Sequence, residues 1–413
     1  MQPNHVIESK EELLNHFGSS QKLEICDLIQ MKNLLALNVA ADVWEDASNR
    51  NLLSFSKEFV QQTKELTLNI TQIEHIYLIS FLVNLTELDL FDNNISDIFS
   101  ISKLKNLKKI NLGSNVIEDI SALQSLSNIT FLHLQYNKIT SYALALPSLV
   151  ELSLSNIQLK DKSGLQHSPK LQKLYLSETE TTDLQTIPPQ LFGLKSLDLS
   201  WNNFTEISYL SNFVGLQCIS LSNNIQLQNI GPLKFCNQIT ELRIHATSVA
   251  DIWPLQFLNN LKILNMNNTK IVDLRPLQFL YKLEDIYAFD ACVIDVSPLS
   301  KLTQLDFLDF CNNKITNGDI LKHHPNNSEY QLSKQEVPTT EELKFYNKIL
   351  NVHNSHKQIR KIFNENRIHK LRATLASKNN YVSTMLNNQI MMMSKELNLF
   401  AHFLQNSNDT RRK

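Results

Sequence analysis

The chain has 413 residues, of which 42% are hydrophobic and 19% charged, and its formal net charge is −2. This balance is that of an ordinary globular polypeptide, and the low count of 7 glycines excludes a collagen-like or low-complexity chain. No run of about 18 consecutive apolar residues occurs, so the sequence predicts no membrane-spanning helix.

The N-terminus and the cysteines indicate the cellular compartment. The opening segment MQPNHVIESKEELLNHFG has no basic start followed by an apolar stretch, so we expect no secretory signal. The five cysteines are scattered and form no C-x-x-C pair, which favours buried, reduced thiols over a disulfide framework. We therefore expect a cytoplasmic protein, with the nucleus as the alternative. The cysteines are Cys26, Cys218, Cys236, Cys292 and Cys311.

Residues 1–62 are the least regular part of the chain. Leu34, Leu37 and Val39 reproduce a short apolar alternation that recurs later, and a long return segment follows it. The first coil of a repeat array would expose half of its core, so atypical terminal coils are expected. This segment is predicted to form an N-terminal cap and one diverged repeat.

From residue 63 onward, a unit of 22 or 23 residues repeats about twelve times, with one copy of 20, and ends near residue 326. The copies ITELRIHATSVADIWPLQFLNN and LKILNMNNTKIVDLRPLQFLYK carry apolar side chains at positions 1, 4, 6, 11, 14, 17 and 20. A fixed period of this length predicts a solenoid. The coils begin at residues 63, 85, 107, 129, 149, 171, 194, 216, 239, 261, 283 and 305.

Each coil has a simple physical interpretation. Apolar positions 4 and 6 alternate with polar ones, which predicts a short strand with one buried face. The chain turns at position 9, where an asparagine amide can bond backbone groups of its own coil and of the next. Proline at position 16 predicts the start of a helical or 3-10 return segment, and the preceding aspartates can cap its free amides. These positions hold Asn93, Asn115, Asn137, Asn202, Asn224 and Asn313; Pro232, Pro254, Pro276 and Pro298; and Asp97, Asp119, Asp183, Asp251, Asp273 and Asp295.

The segments LTELDLFDNNISDI and LKKINLGSNVIEDI follow the pattern L-x-x-L-x-L-x-x-N-x-I-x-x-I, which resembles a leucine-rich repeat. The 22-residue length resembles the subclass of phosphatase-regulatory subunits and bacterial internalins, and the segment after the last coil is similar to leucine-rich repeat proteins of diplomonad protists. The resemblance implies an α/β solenoid, a horseshoe with a concave parallel β-sheet, convex short helical or 3-10 turns and a C-terminal α-helical extension.

After Asn313 the apolar period ends, and residues 327–413 are predicted to form a C-terminal cap and helical tail. Pro338 and the following threonines and glutamates are a helix-start signal. A second apolar stripe from Val382 to Leu404 has near-heptad spacing. One part of the tail can seal the last coil, whereas the other can project as a coiled-coil element through which the chain self-associates.

The tail also concentrates positive charge. Thirteen Lys or Arg and five Asp or Glu lie from residue 341 onward, so this segment carries +8 and the rest of the chain −10. Contact with nucleic acid or an acidic membrane surface is one interpretation. The favoured one is a solvated helix face, or docking against the acidic solenoid, because no nucleic-acid motif is present.

Signatures of catalysis or of cofactor binding do not occur. The sequence lacks a P-loop, a dinucleotide-binding glycine motif, a nucleophile elbow and a zinc-protease motif. His353 and His356 could share a helix face, but no carboxylate or thiol pair accompanies them, so we expect solvated side chains. The same is expected of His323 and His324, which lie in a polar turn. We predict no catalytic, cofactor-binding or metal-binding residues and therefore no enzyme.

The concave face is the predicted functional surface, because positions 3, 5, 7 and 8 of each coil point away from the core. Exposed aromatic side chains near charges are typical of protein-binding hot spots. They fall in three zones, Phe131/His133/Tyr136, Tyr175/Trp201 and Tyr287/Phe289/Phe307. The acidic first coils suit a basic partner. The predicted protein-binding residues are Phe131, His133, Tyr136, Tyr175, Trp201, Arg243, His245, Tyr287, Phe289 and Phe307.

The predicted function is a non-enzymatic protein–protein interaction module. A regulatory or scaffolding subunit for a phosphatase, or for a cytoskeletal or signalling protein, is the finer version that the resemblance implies. The alternatives are an oligomeric structural protein that self-associates through the tail and an internalin-like adhesion protein. No nucleic-acid partner is predicted.

Overall fold

The computed structural model describes residues 64–69, 74, 76, 79–80, 82–324, 330–333, 335–340 and 343–344. The chain divides into two compact units, Met1–Asn202 and Asn203–Lys413. Within each unit, every coil contributes one short strand, and neighbouring strands pair in parallel.

In the first unit the strands follow chain order across a parallel sheet. Residues at the same position of successive coils pair with each other. The central residue of each strand is buried, and its two neighbours are partly exposed or exposed in all strands except β5. The strands are β1 Glu65–Thr67, β2 Glu87–Asp89, β3 Lys109–Asn111, β4 Phe131–His133, β5 Glu151–Ser153, β6 Lys173–Tyr175 and β7 Ser196–Asp198.

The second unit repeats this arrangement, with each strand paired in parallel to the next along the chain. Its strands are β8 Cys218–Ser220, β9 Glu241–Arg243, β10 Ile263–Asn265, β11 Asp285–Tyr287, β12 Phe307–Asp309 and β13 Tyr330–Gln331. The leucines and isoleucines at positions 4 and 6 are almost fully buried in both units, for example Leu88, Leu90, Leu242 and Ile244. The predicted α/β solenoid is therefore confirmed.

Short 3-10 helices return the chain from one strand to the next. The predicted capping is confirmed, because a carboxylate oxygen of Asp119 accepts from the Ser121 N–H at 2.8 Å and Asp295 does the same for Ser297 at 2.7 Å. The predicted proline column lies in the first turn of four of these helices. The helices are Phe99–Lys103, Ser121–Ser125, Ser163–His167, Leu184–Thr186, Ser208–Asn212, Gly231–Phe235, Trp253–Phe257, Arg275–Leu277, Ser297–Leu299 and Gly318–His323.

The asparagines at position 9 form the expected ladder, but its direction is opposite to the prediction. The Asn115 amide donates to the carbonyl of Leu112 in its own coil at 3.1 Å and to that of Leu90 in the preceding coil at 2.9 Å. Its Oδ1 accepts from the N–H of Ile95, also in the preceding coil, at 2.9 Å. Each asparagine therefore satisfies the backbone of the coil before it rather than of the coil after it.

The 20-residue coil replaces the 3-10 return with an extended segment. Ser141 forms an isolated parallel bridge with Asp161 of the next coil. The Tyr142 side chain, which is fully buried, fills the interior there. Gly164 comes so close to this segment that its N–H donates to the Tyr142 carbonyl at 2.8 Å. The missing residues are thus accommodated by a larger core side chain and a glycine contact.

The sheet extends beyond the point where the apolar period ends. Strand β13 pairs with β12, and Gln335 takes the place of the ladder asparagine, donating to the Phe310 carbonyl at 2.8 Å and accepting from the Ile315 N–H at 2.9 Å. The predicted domain boundaries at 62/63 and 326/327 stay predictions.

The interpretation of His324 as a solvated turn residue is wrong. Its side chain is buried, and its Nε2 lies 2.9 Å from the Leu302 carbonyl oxygen. Because a carbonyl can only accept, Nε2 carries a proton, and Nδ1 is hydrogen-bonded to the Tyr330 hydroxyl. Burial raises the pKa of Tyr330 to about 12. This pair fastens the end of the last 3-10 helix to β13.

Cysteine burial was predicted too broadly. All four described cysteines are free, but only Cys236 is buried, whereas Cys218, Cys292 and Cys311 are half-buried. The predicted N-terminal cap, Cys26, His353, His356, the basic residues from 345 onward and the stripe from Val382 to Leu404 lie outside the described residues.

Candidate protein-binding surface

The outward-pointing residues at positions 3, 5, 7 and 8 of the coils form what we call the strand face, one part in each unit. Strands impose this orientation because successive side chains alternate between the core and the solvent. All ten predicted binding residues lie at these positions, and each is half-buried or exposed.

Position 8 has a left-handed backbone conformation in every coil from residue 85 to residue 312. Asparagine, aspartate and serine fill most of these positions, as expected where φ is positive. Tyr136 and Trp201 are the two aromatic exceptions, with φ values of 57° and 56°. Their side chains are 54% and 61% exposed. A short polar residue such as asparagine would fit the left-handed backbone with less strain at both positions.

In the first unit, Phe131, His133 and Tyr175 form one aromatic cluster across β4 and β6. The rings of Phe131 and His133 lie 4.0 Å apart between centroids, and Tyr175 meets His133 edge-on at 6.3 Å. On β5, between them, Glu151 Oε1 lies 3.3 Å from His133 Nε2 and Glu151 Oε2 lies 2.9 Å from Lys173 Nζ. The structure therefore brings Tyr175, which the sequence grouped with Trp201, into contact with the first zone.

The electrostatics of this cluster favour an uncharged imidazole. Burial lowers the pKa of His133, although the hydrogen bond and charge of Glu151 oppose that change. The Glu151 carboxylate lies between the imidazole and the Lys173 ammonium. At neutral pH the cluster thus presents a neutral aromatic surface beside a compensated ion pair.

In the second unit, Arg243 and His245 are held by neighbouring side chains. Arg243 Nη2 lies 2.5 Å from Glu241 Oε1 on the same strand. His245 Nδ1 lies 2.7 Å from the Ser222 hydroxyl oxygen, and its Nε2 lies 3.4 Å from Asn223 Nδ2. Both side chains are therefore positioned before any partner arrives.

Two members of the third predicted zone, Tyr287 and Phe307, lie in contact with each other. The Tyr287 and Phe307 rings, on β11 and β12, lie 5.0 Å apart between centroids with an interplanar angle of 35°. Phe289 follows on the same side of the sheet and is 40% exposed. Its backbone N–H donates to Asn267 Oδ1 at 2.7 Å, which fixes the chain at that point.

Sequence reasoning overlooked two charged members of the strand face, Lys173 and Asp285. Both lie at position 3 of their coils, next to predicted aromatic residues. Considering position 3 of every coil would have identified them. Burial raises the pKa of Asp285, and repulsion from Asp306 and Glu284 raises it further. The left-handed column at position 8 was also overlooked, although its run of asparagine and aspartate was the available signal.

Among the described residues, no group of three or more His, Cys, Asp or Glu side chains is arranged to hold a metal ion. In the same part of the chain, no helix has the length and apolar character needed to cross a membrane.

Comparison with known proteins agrees with this geometry. Residues 83–125 match the family model for two copies of the leucine-rich repeat, and residues 193–213 match that for a single leucine-rich repeat. The internalin InlF of Listeria monocytogenes is 27% identical, with a TM-score of 0.63 over 74% of this chain and 92% of that one. The chain is a leucine-rich repeat protein.

Two other solved structures share its fold. A leucine-rich repeat protein of Leptospira interrogans has a TM-score of 0.59 at 22% identity over 68% of this chain and 75% of that one. The plant peptide hormone receptor RGFR1, solved in complex with RGF2, has a TM-score of 0.53 at 18% identity over 66% of this chain and 48% of that one. No curated protein matches this leucine-rich repeat protein. Its fold is that of protein-interaction modules.

Proposed function

We propose that this leucine-rich repeat protein is a non-enzymatic binding module that holds a partner protein against its strand face, the side predicted to be concave. A regulatory or scaffolding subunit in the cytoplasm or nucleus, with a phosphatase or a cytoskeletal or signalling protein as its partner, is the finer form of the proposal. The sequence resemblance to phosphatase-regulatory subunits supports that form.

The observation that carries the proposal is the placement of Tyr136 and Trp201. A left-handed backbone costs a bulky residue about 1–2 kcal/mol relative to its preferred conformations. Exposing large rings to water gives up apolar burial as well. Within the described residues, neither side chain has a hydrogen bond, an ion pair or a ring contact that would offset these costs. Strained, exposed side chains of this kind are typical of functional sites.

The surrounding surface suits recognition of a protein. Backbone hydrogen bonds between coils and the asparagine ladder hold the sheet rigid, so little ordering is needed when a partner binds. Tyrosine and tryptophan bring large contact areas with few rotatable bonds, and they are enriched among binding hot spots. The cluster of Phe131, His133 and Tyr175 extends the same surface within the first unit.

The test is capture of partners from native lysate by the full-length protein and its Tyr136→Asn/Trp201→Asn double variant. Asparagine is the common residue at this left-handed position, so the variant keeps the coil conformation. Proteins captured by the wild type and lost by the variant are then purified and their affinities measured. We expect a loss of at least about 30-fold, because hot-spot side chains each contribute about 2 kcal/mol or more.

The matched control is Phe99→Ser/Phe192→Ser, which removes two exposed aromatic rings, 70% and 59% exposed, from the same unit but away from the strand face. This control should capture the same proteins as the wild type. An identical set of captured proteins from the wild type and the Tyr136→Asn/Trp201→Asn variant would refute the assignment of the strand face.

A further inference from the structure

The strand face between β11 and β12 carries a square of two aromatic rings and two carboxylates. The parallel register places Asp285 beside Phe307 and Tyr287 beside Asp309. We propose that this square binds an arginine side chain from a basic segment of a partner protein. The inference rests on the proposed function, since it identifies what one part of the strand face recognises.

The aromatic half of the square is an open surface for a flat cation. The Tyr287 and Phe307 rings occupy opposite corners of the square, and their centroids lie 5.0 Å apart. Both side chains are partly exposed, and Phe289, just after β11, enlarges the apolar surface. A guanidinium over such a ring is attracted by its electron-rich face.

The acidic half has no cation of its own. Within the described residues, the carboxylates of Asp285, Asp306 and Asp309 form no ion pair, and only that of Asp309 accepts a hydrogen bond, from the Cys311 N–H at 3.1 Å. The nearby cations are engaged elsewhere, since Lys262 Nζ lies 2.6 Å from Glu284 Oε1 and Arg243 pairs with Glu241. The square therefore has uncompensated negative charge beside an apolar surface.

The titration behaviour of the square agrees with this charge balance. Burial raises the pKa of Asp285, with added repulsion from Asp306 and then Glu284, so its charged form is disfavoured relative to that of a free carboxyl. The charge of Asp285 in turn adds to the burial that raises the pKa of Tyr287, while Arg243 opposes the rise. A bound cation would relieve the repulsion that Asp306 and Glu284 exert on Asp285.

Arginine fits the square better than other cationic or anionic groups. Its planar guanidinium can stack on an aromatic ring and donate to a carboxylate at the same time, whereas a lysine ammonium is compact and strongly hydrated. Nucleic acids and acidic membranes present phosphates, which the carboxylates would repel. A basic protein segment is therefore the partner that both halves of the square favour.

Binding of labelled peptides to the full-length protein tests the inference. Fluorescence anisotropy would measure the affinity of fluorescein-labelled hexa-arginine, hexalysine and hexaglutamate at about 0.15 M salt. We expect hexa-arginine to bind more tightly than hexalysine and hexaglutamate not to bind. Phe307→Leu and Asp285→Asn should each weaken hexa-arginine binding by about fivefold, as loss of one cation–π or charge contact implies.

Two control variants match these changes away from the square. Glu118→Gln removes one negative charge and Phe99→Leu removes one exposed ring, and both should leave the affinity unchanged. Equal losses in the controls, unchanged affinity in Phe307→Leu and Asp285→Asn, or equal affinity for hexa-arginine and hexalysine would each overturn the inference. Retained hexa-arginine affinity in Phe307→Leu, with partner capture still lost in Tyr136→Asn/Trp201→Asn, would overturn it while sustaining the proposed function.

Discussion

Tyr136 and Asn156 share one backbone conformation, with φ values of 57° and 55°, at the same position of consecutive coils. Asparagine tolerates this left-handed conformation because its short side chain can hydrogen-bond locally, whereas tyrosine gains nothing from it. Coil geometry therefore fixes the backbone at this position but not the identity of the side chain.

Replacing Tyr136 with asparagine should stabilise the protein. Relief of the left-handed strain predicts a gain of about 0.5–1 kcal/mol in the free energy of unfolding, and Trp201→Asn should behave alike. Urea denaturation of the full chain measures the change as a higher midpoint. The reverse substitution, Asn156→Tyr, should cost a similar amount. A lower midpoint for Tyr136→Asn would show that the ring has a structural role.

Asn115→Ala should be much more damaging than Thr269→Ala, although both side chains are buried. Asn115 bonds backbone groups of two coils, whereas the Thr269 hydroxyl donates only to the Met266 carbonyl of its own coil, at 2.7 Å. We expect the free energy of unfolding to fall by about 2–4 kcal/mol in Asn115→Ala and by about 1 kcal/mol in Thr269→Ala. Urea unfolding of both variants decides the point, and equal losses would contradict a ladder that joins coils.

Gly164→Ala tests the close contact made by the short coil. A Cβ at Gly164 would lie 2.7 Å from the Leu144 carbonyl oxygen and 2.8 Å from that of Tyr142. The backbone must shift, so we expect a loss of about 1–3 kcal/mol in thermal or urea unfolding. Gly193→Ala is the control, since its Cβ would meet only the Leu171 carbonyl oxygen, at 3.6 Å. That variant should be neutral or slightly more stable.

Asp161 should stabilise the protein at neutral pH, and this contribution should be lost when the carboxylate is protonated in acid. Hydrogen bonds from the Ser163 N–H and hydroxyl, and then from Ser141, lower the pKa of Asp161 below its ordinary value of 3.8. A lowered folded-state pKa contributes stability above the unfolded value, and this contribution is lost as the pH falls through the folded one. Asp161→Asn should therefore reduce the difference between urea midpoints at pH 7 and at about pH 3. An unchanged difference would refute the role of Asp161.

The Asp285 carboxyl should affect stability in the opposite direction, so its replacement by asparagine should stabilise the folded state at neutral pH. The pKa of this carboxyl is raised above 3.8, so its ionisation weakens the folded state at neutral pH and the penalty disappears as the pH falls through the raised pKa. We expect Asp285→Asn to raise the urea midpoint at pH 7, with no gain in acid below both pKa values. Glu118→Gln, which removes the same charge from an exposed position, is the comparison. A lower midpoint for Asp285→Asn at pH 7 would contradict the repulsion described above.

The sequence predicted the coil well because its signals are local. Apolar period, position-9 asparagine, capping aspartate and return-segment proline each act within one coil or its neighbour, so residues such as Leu242, Asn115 and Asp119 could be placed without coordinates. The predicted binding residues were placed on the correct side of the sheet for the same reason. Whether they bind a partner stays a prediction.

What the sequence could not predict depends on contacts between coils. Strand β13 was overlooked because Gln335 is one methylene longer than the ladder asparagine and Tyr330 stands where a leucine is expected. The buried His324 contacts Tyr330, whose ring centroid lies 5.2 Å from its own, and the Leu302 carbonyl of the preceding coil. The pKa of Asp285 depends on Asp306 of the next coil. None of these effects leaves a periodic trace in the chain.

The backward direction of the amide ladder has a consequence for synthesis. Asn137 Oδ1 accepts from the Ile117 N–H at 2.9 Å, and its amide donates to the Leu112 carbonyl at 2.9 Å, so the preceding coil is completed by a residue made later. A chain leaving the ribosome N-terminus first can therefore close each coil as soon as the following asparagine emerges. Folding of this kind proceeds vectorially, and only the newest coil waits with unpaired backbone groups.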